Sequence, residues 1–340
     1  MENSAINESA SKAVTNLLSK RELIDNVMLM LKQLYEGKII RVKVDLSSDT
    51  LYYEGLVDEI EVKALQELAN NELVDVEIYD RVVSCPKCGS YRVKVKYVCP
   101  YCDSINLEKT RIIQHVACGF TGSEYAFYAK GKFKVRVCPN CGEEVHREGI
   151  DFIVLTTMFQ CLKCGRRVAE PGVKFVCDKC GHEFSIYESN YIPLHSYKIS
   201  ELGKVVYERN LIVVALIEEV IDKYQFEKIK PPRLKGLSGI EHEFDIIGKK
   251  DTLTLLVDVI RAHEESKMLS VTVKAAEFLA ESSGNMYYIV CYEELSPILS
   301  MLTNNPNVLM IKIGQELGAF INSFEEVLRK VLGLGEKHGE

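Results

Sequence analysis

The chain of 340 residues has no tryptophan, only 9 prolines, and no apolar run approaching the ~20 residues that a bilayer crossing requires. Its longest such run, "LIVVALI" at Leu211–Ile217, is a core segment by length. No cationic, apolar, small-residue leader opens the sequence, which argues against secretion and for a cytoplasmic protein with no membrane partner. In a reducing compartment, 12 cysteines predict metal rather than disulfides. Strong charge of one sign is also missing overall: the net is −7. By region it is −8 over 1–80, +8 over 81–180 and −7 over 181–340. Thiolate–zinc sites would bring the middle segment down to about +3 in formal charge. A bulk electrostatic grip on DNA is therefore excluded, while a local basic face is not.

What the chain does have is eleven cysteines between Cys85 and Cys180, ten of them in CxxC pairs: Cys85/Cys88, Cys99/Cys102, Cys138/Cys141, Cys161/Cys164 and Cys177/Cys180. A CxxC turn aims two sulfurs at one tetrahedral ion, and a following glycine admits the left-handed backbone that the turn needs. Glycine follows every pair except Cys102, where Asp103 stands. Five pairs leave one site half built. The unpaired Cys118 is also followed by glycine, and three residues before it stands His115, so "HVACG" repeats the spacing of "CPKCG" with imidazole as the first ligand. The alternative is that His115 is an ordinary strand histidine and Cys118 a small buried residue, with His146 or His182 as rival ligands. Six half-sites predict three zinc ions. Closing the shortest loops pairs them in sequence order: Cys85, Cys88, Cys99, Cys102; then His115, Cys118, Cys138, Cys141; then Cys161, Cys164, Cys177, Cys180. An interlaced arrangement remains open.

The fold class predicted is multidomain α+β. Residues 1–80 form an N-terminal α+β cap: a helix over about 11–35 with Gly37 past its end, a strand "IIRVKV", a helix "DEIEVKALQELANN" and a strand "VDVEIY". This order suits a winged-helix-like module or a helical cap packed on the ribbons. Residues 81–199 are tandem β zinc ribbons, with strand-like stretches between the knuckles. Residues 200–335 have an α/β order, in which "VVYERNLIVVALIEEVIDKY" reads as one helix, followed by a hairpin, a helix, the strand holding Cys291, and a closing strand and helix.

The ribbon segment, through "CPKCGS", "CPYCDS", "IIQHVACG", "CPNCGEEV", "CLKCG" and "CDKCGHEF", resembles the archaeal zinc-ribbon module called the thaumarchaeal output domain. That resemblance implies a binding role, regulatory or adaptor, rather than catalysis. The third part resembles the restriction-endonuclease-like (PD-(D/E)xK) fold through "GxSGxEHxFDI". Active members hold a divalent metal, here Mg²⁺, between two acids, with a lysine two positions after the second. By that match Asp245 and Asp258 are the acids, and the lysine position falls on Ile260. Strand alternation predicts that Glu241 joins the acids on one face, and Lys274, on the next helix, is the available substitute for the lysine. The alternative to metal binding is a solvated face of carboxylates. Two functions follow: a non-catalytic protein whose ribbons dock DNA, RNA or a protein partner, or a Mg²⁺-dependent DNA endonuclease positioned by its ribbons. A scaffold contacting protein alone is the third. Nucleic-acid contact would fall on Lys94, Lys96, Lys132, Lys134, Arg136, Arg166 and Arg167.

Overall fold

The computed structural model describes residues 2–128, 136–262, 264–279 and 285–334; Lys132 and Lys134 lie outside these. It is a mixed α+β chain with several sheets. In order come α1 (Glu2–Leu18), α2 (Ile24–Tyr35), β1 (Ile40–Asp45), β2 (Thr50–Tyr53), α3 (Glu59–Asn70), β3 (Val74–Ser84), β4 (Val93–Val98), β5 (Leu107–His115), β6 (Thr121–Ser123), β7 (Phe152–Cys161), β8 (Arg167–Val168), β9 (Gly172–Cys177), β10 (Glu183–Phe184) and β11 (Asn190–Ile199). The remainder runs α4 (Glu201–Glu208), α5 (Leu211–Lys223), β12 (Glu227–Lys228), β13 (Arg233–Lys235), β14 (Glu241–Glu243), β15 (Ile246–Lys250), β16 (Leu253–Ile260), α6 (Glu265–Leu279), β17 (Met286–Tyr292), α7 (Pro297–Ser300), β18 (Val308–Lys312) and α8 (Leu317–Val331). No described helix is long and apolar enough to cross a membrane.

Contacts divide the chain into two compact units, one made of Met1–Arg41, Tyr53–Glu77 and His195–Glu340, the other of Val42–Tyr52 and Ile78–Leu194. Residues 1–80 thus contribute to both. In the first unit, Leu17, Leu31, Leu65 and Leu68 from the N-terminal helices share one apolar cluster with Leu216, Ile217, Phe324 and Leu328. The sheet of this unit has the order β12-β15-β16-β17-β18, antiparallel at β15/β16 and parallel across β16/β17/β18. Because strand side chains alternate, its two faces enter different cores. Leu255, Val257, Val259, Ile289 and Cys291 face the first cluster, while Leu256, Ile260, Tyr288 and Val290 pack with Met268 and Val271 of α6.

Two helices expected to be continuous are broken. The N-terminal one stops at Leu18 and resumes through a 3₁₀ turn at Arg21–Leu23, so its two halves bury separate stripes. Gly37, at φ +96°, ends the second half as its position predicts. The second break falls at Asn210, left-handed at φ +55°, whose buried side-chain amide donates to the Val259 carbonyl. That bond fixes the corner between α4 and α5.

One backbone approach in this unit admits only glycine. Ser200 caps α4, donating from its hydroxyl to the Glu72 carbonyl and accepting from the Gly203 N–H. This draws the first turn of α4 against the chain at Leu73, where a Cβ on residue 203 would stand 2.1 Å from the Leu73 carbonyl oxygen. Gly203→Ala is expected to destabilise the unit by about 2–3 kcal/mol, read as a lowered midpoint in chemical unfolding; an unchanged midpoint would contradict this packing.

Candidate metal centre

The second unit is built on two antiparallel sheets, β10-β9-β4 and β6-β5-β7-β8. In the first, β4 pairs along its whole length with β9, from Val93 opposite Cys177 to Val98 opposite Gly172. In the second, β5 pairs with β7 from Leu107 opposite Cys161 to His115 opposite Phe152. A cysteine knuckle therefore lies at each end of each ladder, and the ladders decide which knuckles meet.

Six turns of one design supply the candidate ligands. In each, the first ligand's carbonyl accepts from the N–H four positions on: Gly89 to Cys85, Asp103 to Cys99, Gly119 to His115, Gly142 to Cys138, Gly165 to Cys161 and Gly181 to Cys177, at 2.8–2.9 Å. The first ligand's own N–H donates to the carbonyl one residue further still, as from Cys85 to Ser90 and from His115 to Phe120, both 2.9 Å. The five glycines take φ between +69° and +74°, and Asp103 takes +55°. The aspartate tolerates the left-handed turn, so the departure at this knuckle is chemical and not conformational.

The ligand atoms converge in three groups, each within 4.8 Å: Cys85, Cys88, Cys177 and Cys180; Cys99, Cys102, Cys161 and Cys164; His115, Cys118, Cys138 and Cys141. Only the last follows sequence order; the other two correct it. The arrangement is nested, with the first knuckle meeting the last. The loop-closure argument fails on magnitude. Cys88 and Cys177 are 89 positions apart, and closing that loop instead of the short one to Cys99 costs only about 2 kcal/mol more. A ladder of six residue pairs between β4 and β9 outweighs that, at about 0.5–1.5 kcal/mol net per hydrogen bond.

Each of the three groups could hold a metal ion. Sulfur–sulfur distances of 3.6 Å (Cys88–Cys177), 3.7 Å (Cys85–Cys180), 3.6 Å (Cys102–Cys161) and 3.8 Å (Cys99–Cys164) lie at or just below the ~3.8 Å edge of a tetrahedron with zinc–sulfur bonds of ~2.3 Å. In the third group His115 Nδ1 stands 3.2 Å from Cys118 Sγ and 3.4 Å from Cys141 Sγ, and Cys118 lies 3.5 Å from Cys138. The ring's other nitrogen faces Glu143 at 3.7 Å, a carboxylate placed to orient the imidazole. His115 is buried, and its contact with the Cys118 sulfur pulls that thiol's pKa down to about 6. The donor set, all sulfur or three sulfurs and an imidazole, suits zinc. His146 instead meets Glu144, and His182 stacks on Phe184.

The acids of the first unit are arranged differently from expectation. Asp245 and Asp258 do meet: Asp258 Oδ1 accepts from the Asp245 N–H at 3.1 Å, and Asp245 Oδ2 from the Val259 N–H at 2.7 Å. Glu241 does not join them. It sits exposed on β14, opposite Lys235 of β13, because the chain leaves that small hairpin at the buried Phe244 before β15 begins. Besides Lys274, the acids have two partners that the sequence hid, Lys267 and Tyr288. Lys267 of α6 donates to Asp245 Oδ2, and Lys274 to Asp258 Oδ2, each at 2.8 Å, while the buried Tyr288 hydroxyl also donates to Asp258. Burial and then the charge of Asp245 raise the pKa of Asp258, against the opposite pull of Lys274 and Tyr288. Ile260 is fully buried on the same face. The spacing of Lys267 and Lys274, two helical turns apart with Val271 between, was the available signal.

The nested pairing makes metal counts diagnostic. Cys85→Ser with Cys177→Ser should leave two zinc ions per chain, and Cys85→Ser with Cys99→Ser only one; the reverse would restore pairing in sequence order. His115→Ala should leave two and His115→Cys three, since either ligand suits tetrahedral zinc. Elemental analysis of zinc-loaded protein reads all four.

No curated protein matches the sequence. Among solved structures, a repair endonuclease from Pyrococcus abyssi aligns with 82% of this chain and 100% of its own at 14% identity and a TM-score of 0.19. EndoMS in apo form aligns with 75% of this chain and 94% of its own at 13% identity and 0.18, and the EndoMS–dsDNA2 complex with 65% and 97% at 9% and 0.19. Likenesses this slight carry no argument about fold or chemistry. The family model of thaumarchaeal output domain 1 matches residues 18–199, which include all six knuckles and more than half of the sequence. The chain belongs to the thaumarchaeal output domain 1 family.

Proposed function

We propose that this protein is a zinc-organised regulatory or adaptor protein whose ribbons dock nucleic acid and whose C-terminal acid cluster does not cut it. The observation that carries the reading is the pairing of Asp245 with Lys267 and of Asp258 with Lys274. Two ammonium groups already neutralise the two carboxylates, and Asp258, Lys274 and Tyr288 are buried. A Mg²⁺ ion needs open oxygen ligands, and this donor set does not fit it without expelling a lysine. Removing one member of a buried ion pair typically costs about 3–5 kcal/mol, so the lysines are held firmly.

The basic residues of the ribbons divide into two kinds. Lys94 pairs with Asp178, Lys96 with Glu183, and Arg136 with Glu124, so their charge is answered within the chain. Arg166 and Arg167, with Lys163 beside them, are exposed and have no acidic partner among the described residues. The Arg166 guanidinium lies 4.5 Å over the ring of Tyr101, which is itself 60% exposed. Knuckles sharing one metal group bring Tyr101 and Lys163 to the same tip. Cations beside an exposed aromatic ring suit phosphates and an unstacked base, so single strands are favoured.

A Mg²⁺-dependent endonuclease is the second reading, supported by the meeting of both acids with two lysines at one place.

Charge reversal at Lys163, Arg166 and Arg167 should weaken single-strand binding at least tenfold at low salt and flatten its salt dependence. Reversal at Lys94 and Lys96 should do less. Equal binding by all variants would move the reading to a protein partner. Incubated with Mg²⁺ or Mn²⁺, the protein should cleave duplex, single-stranded and branched DNA no faster than Asp258→Ala; cleavage lost in that variant and in Lys274→Ala would establish the second reading.

A further inference from the structure

The metal group nearest the ends of the ribbon, Cys85, Cys88, Cys177 and Cys180, has a buried carboxylate outside its ligand set. The turn between β1 and β2 is internally organised: the Asp45 carboxylate accepts from the Ser47 N–H at 2.8 Å and from the hydroxyls of Ser47 and Ser48 at 2.6 and 2.8 Å, and the Asp49 N–H donates to the Asp45 carbonyl at 2.8 Å. Asp49 leaves this turn. Its Oδ1 accepts from the Ser90 hydroxyl at 3.0 Å and the Tyr91 N–H at 2.7 Å, and its Oδ2 lies 3.3 Å from Lys179 Nζ. Only 7% of its side chain is exposed.

These partners belong to the two different knuckles of one group. Ser90 and Tyr91 follow Cys88–Gly89, and the Ser90 carbonyl closes that turn by accepting from the Cys85 N–H. Lys179 is the third residue of the Cys177–Cys180 turn. One carboxylate therefore ties together, from outside, the two turns that must converge for four sulfurs to meet. We propose that Asp49 is a positioning residue for this metal group, and that the 45–50 turn is latched to the ribbon only while the group holds its ion. The inference rests on the metal reading of the group. Its physical basis is that partners outside the ligand set fix the ligands, and their loss typically weakens metal binding about 10–100-fold. The reciprocal follows: without the ion the turns lose their convergence, and Asp49 loses the two sites it bridges.

The test uses the full zinc-loaded chain and competition with a chromogenic chelator. Asp49→Gly removes the carboxylate while accepting the residue's φ of +63°; Asp49→Asn keeps an acceptor for the Tyr91 N–H but loses the charge. One ion of three should leave Asp49→Gly about 10–100-fold more readily than wild type, with Asn intermediate and the other two ions unchanged. Lys179→Met should loosen the same ion without touching the turn. In hydrogen exchange, Cys177→Ser should deprotect the amides of 45–50, and His115→Ala should not. Release indistinguishable from wild type in Asp49→Gly and Lys179→Met, or equal protection of 45–50 in the two ligand variants, overturns the proposal. Wild type holding no ion at Cys85, Cys88, Cys177 and Cys180 overturns the metal reading itself. Should Asp49→Gly lose all three ions, Lys179→Met alone decides.

Discussion

The ribbon depends on antiparallel pairing between strands far apart in sequence. With β4 held against β9 and β5 against β7, the turns at the four ladder ends are brought together in a fixed order, and the sulfurs meet because the backbones do. Zinc chemistry alone does not choose among six interchangeable half-sites, since any two CxxC turns make a tetrahedron. The hydrogen-bonded ladders make that choice.

The same constraint explains which features could be read from the sequence. The half-sites were legible because a ligand, two residues, a ligand and a left-handed glycine form a local pattern, and His115 fell into it at the first ligand position. Their partnership was not local. Loop entropy favoured near neighbours by only a small margin, and the ladders that override it join stretches such as "VKVKYV" and "GVKFVC", whose complementarity no local pattern announces. In the other unit, Asp245 and Asp258 were legible because the motif resemblance supplied both positions and alternation gave them one face. Glu241 was misplaced because the chain turns out of the hairpin at Phe244, a tertiary event. Lys267 was hidden because which lysine of α6 meets which acid depends on how that helix packs on the sheet, a tertiary contact. The breaks after Leu18 and at Asn210 depend likewise on contacts, the second on a buried bond to Val259.

The two units deal with charge in contrasting ways. In the first, lysines on α6 compensate the buried Asp258 and the half-buried Asp245 at short range. In the second, three groups of cysteines and one histidine converge without cationic partners in their midst, an arrangement that an ion could compensate.

Nesting also gives the ribbon a direction of assembly. The group of His115, Cys118, Cys138 and Cys141 spans the shortest stretch of chain, and closing it brings β5 and β7 into register. The group of Cys99, Cys102, Cys161 and Cys164 then faces a much shorter effective loop, and its closure does the same for the outermost group. Closure from the middle outward is the order that costs least chain entropy at each step. In that order the knuckles of Cys85 and Cys180, outermost in the nest, are the last to meet.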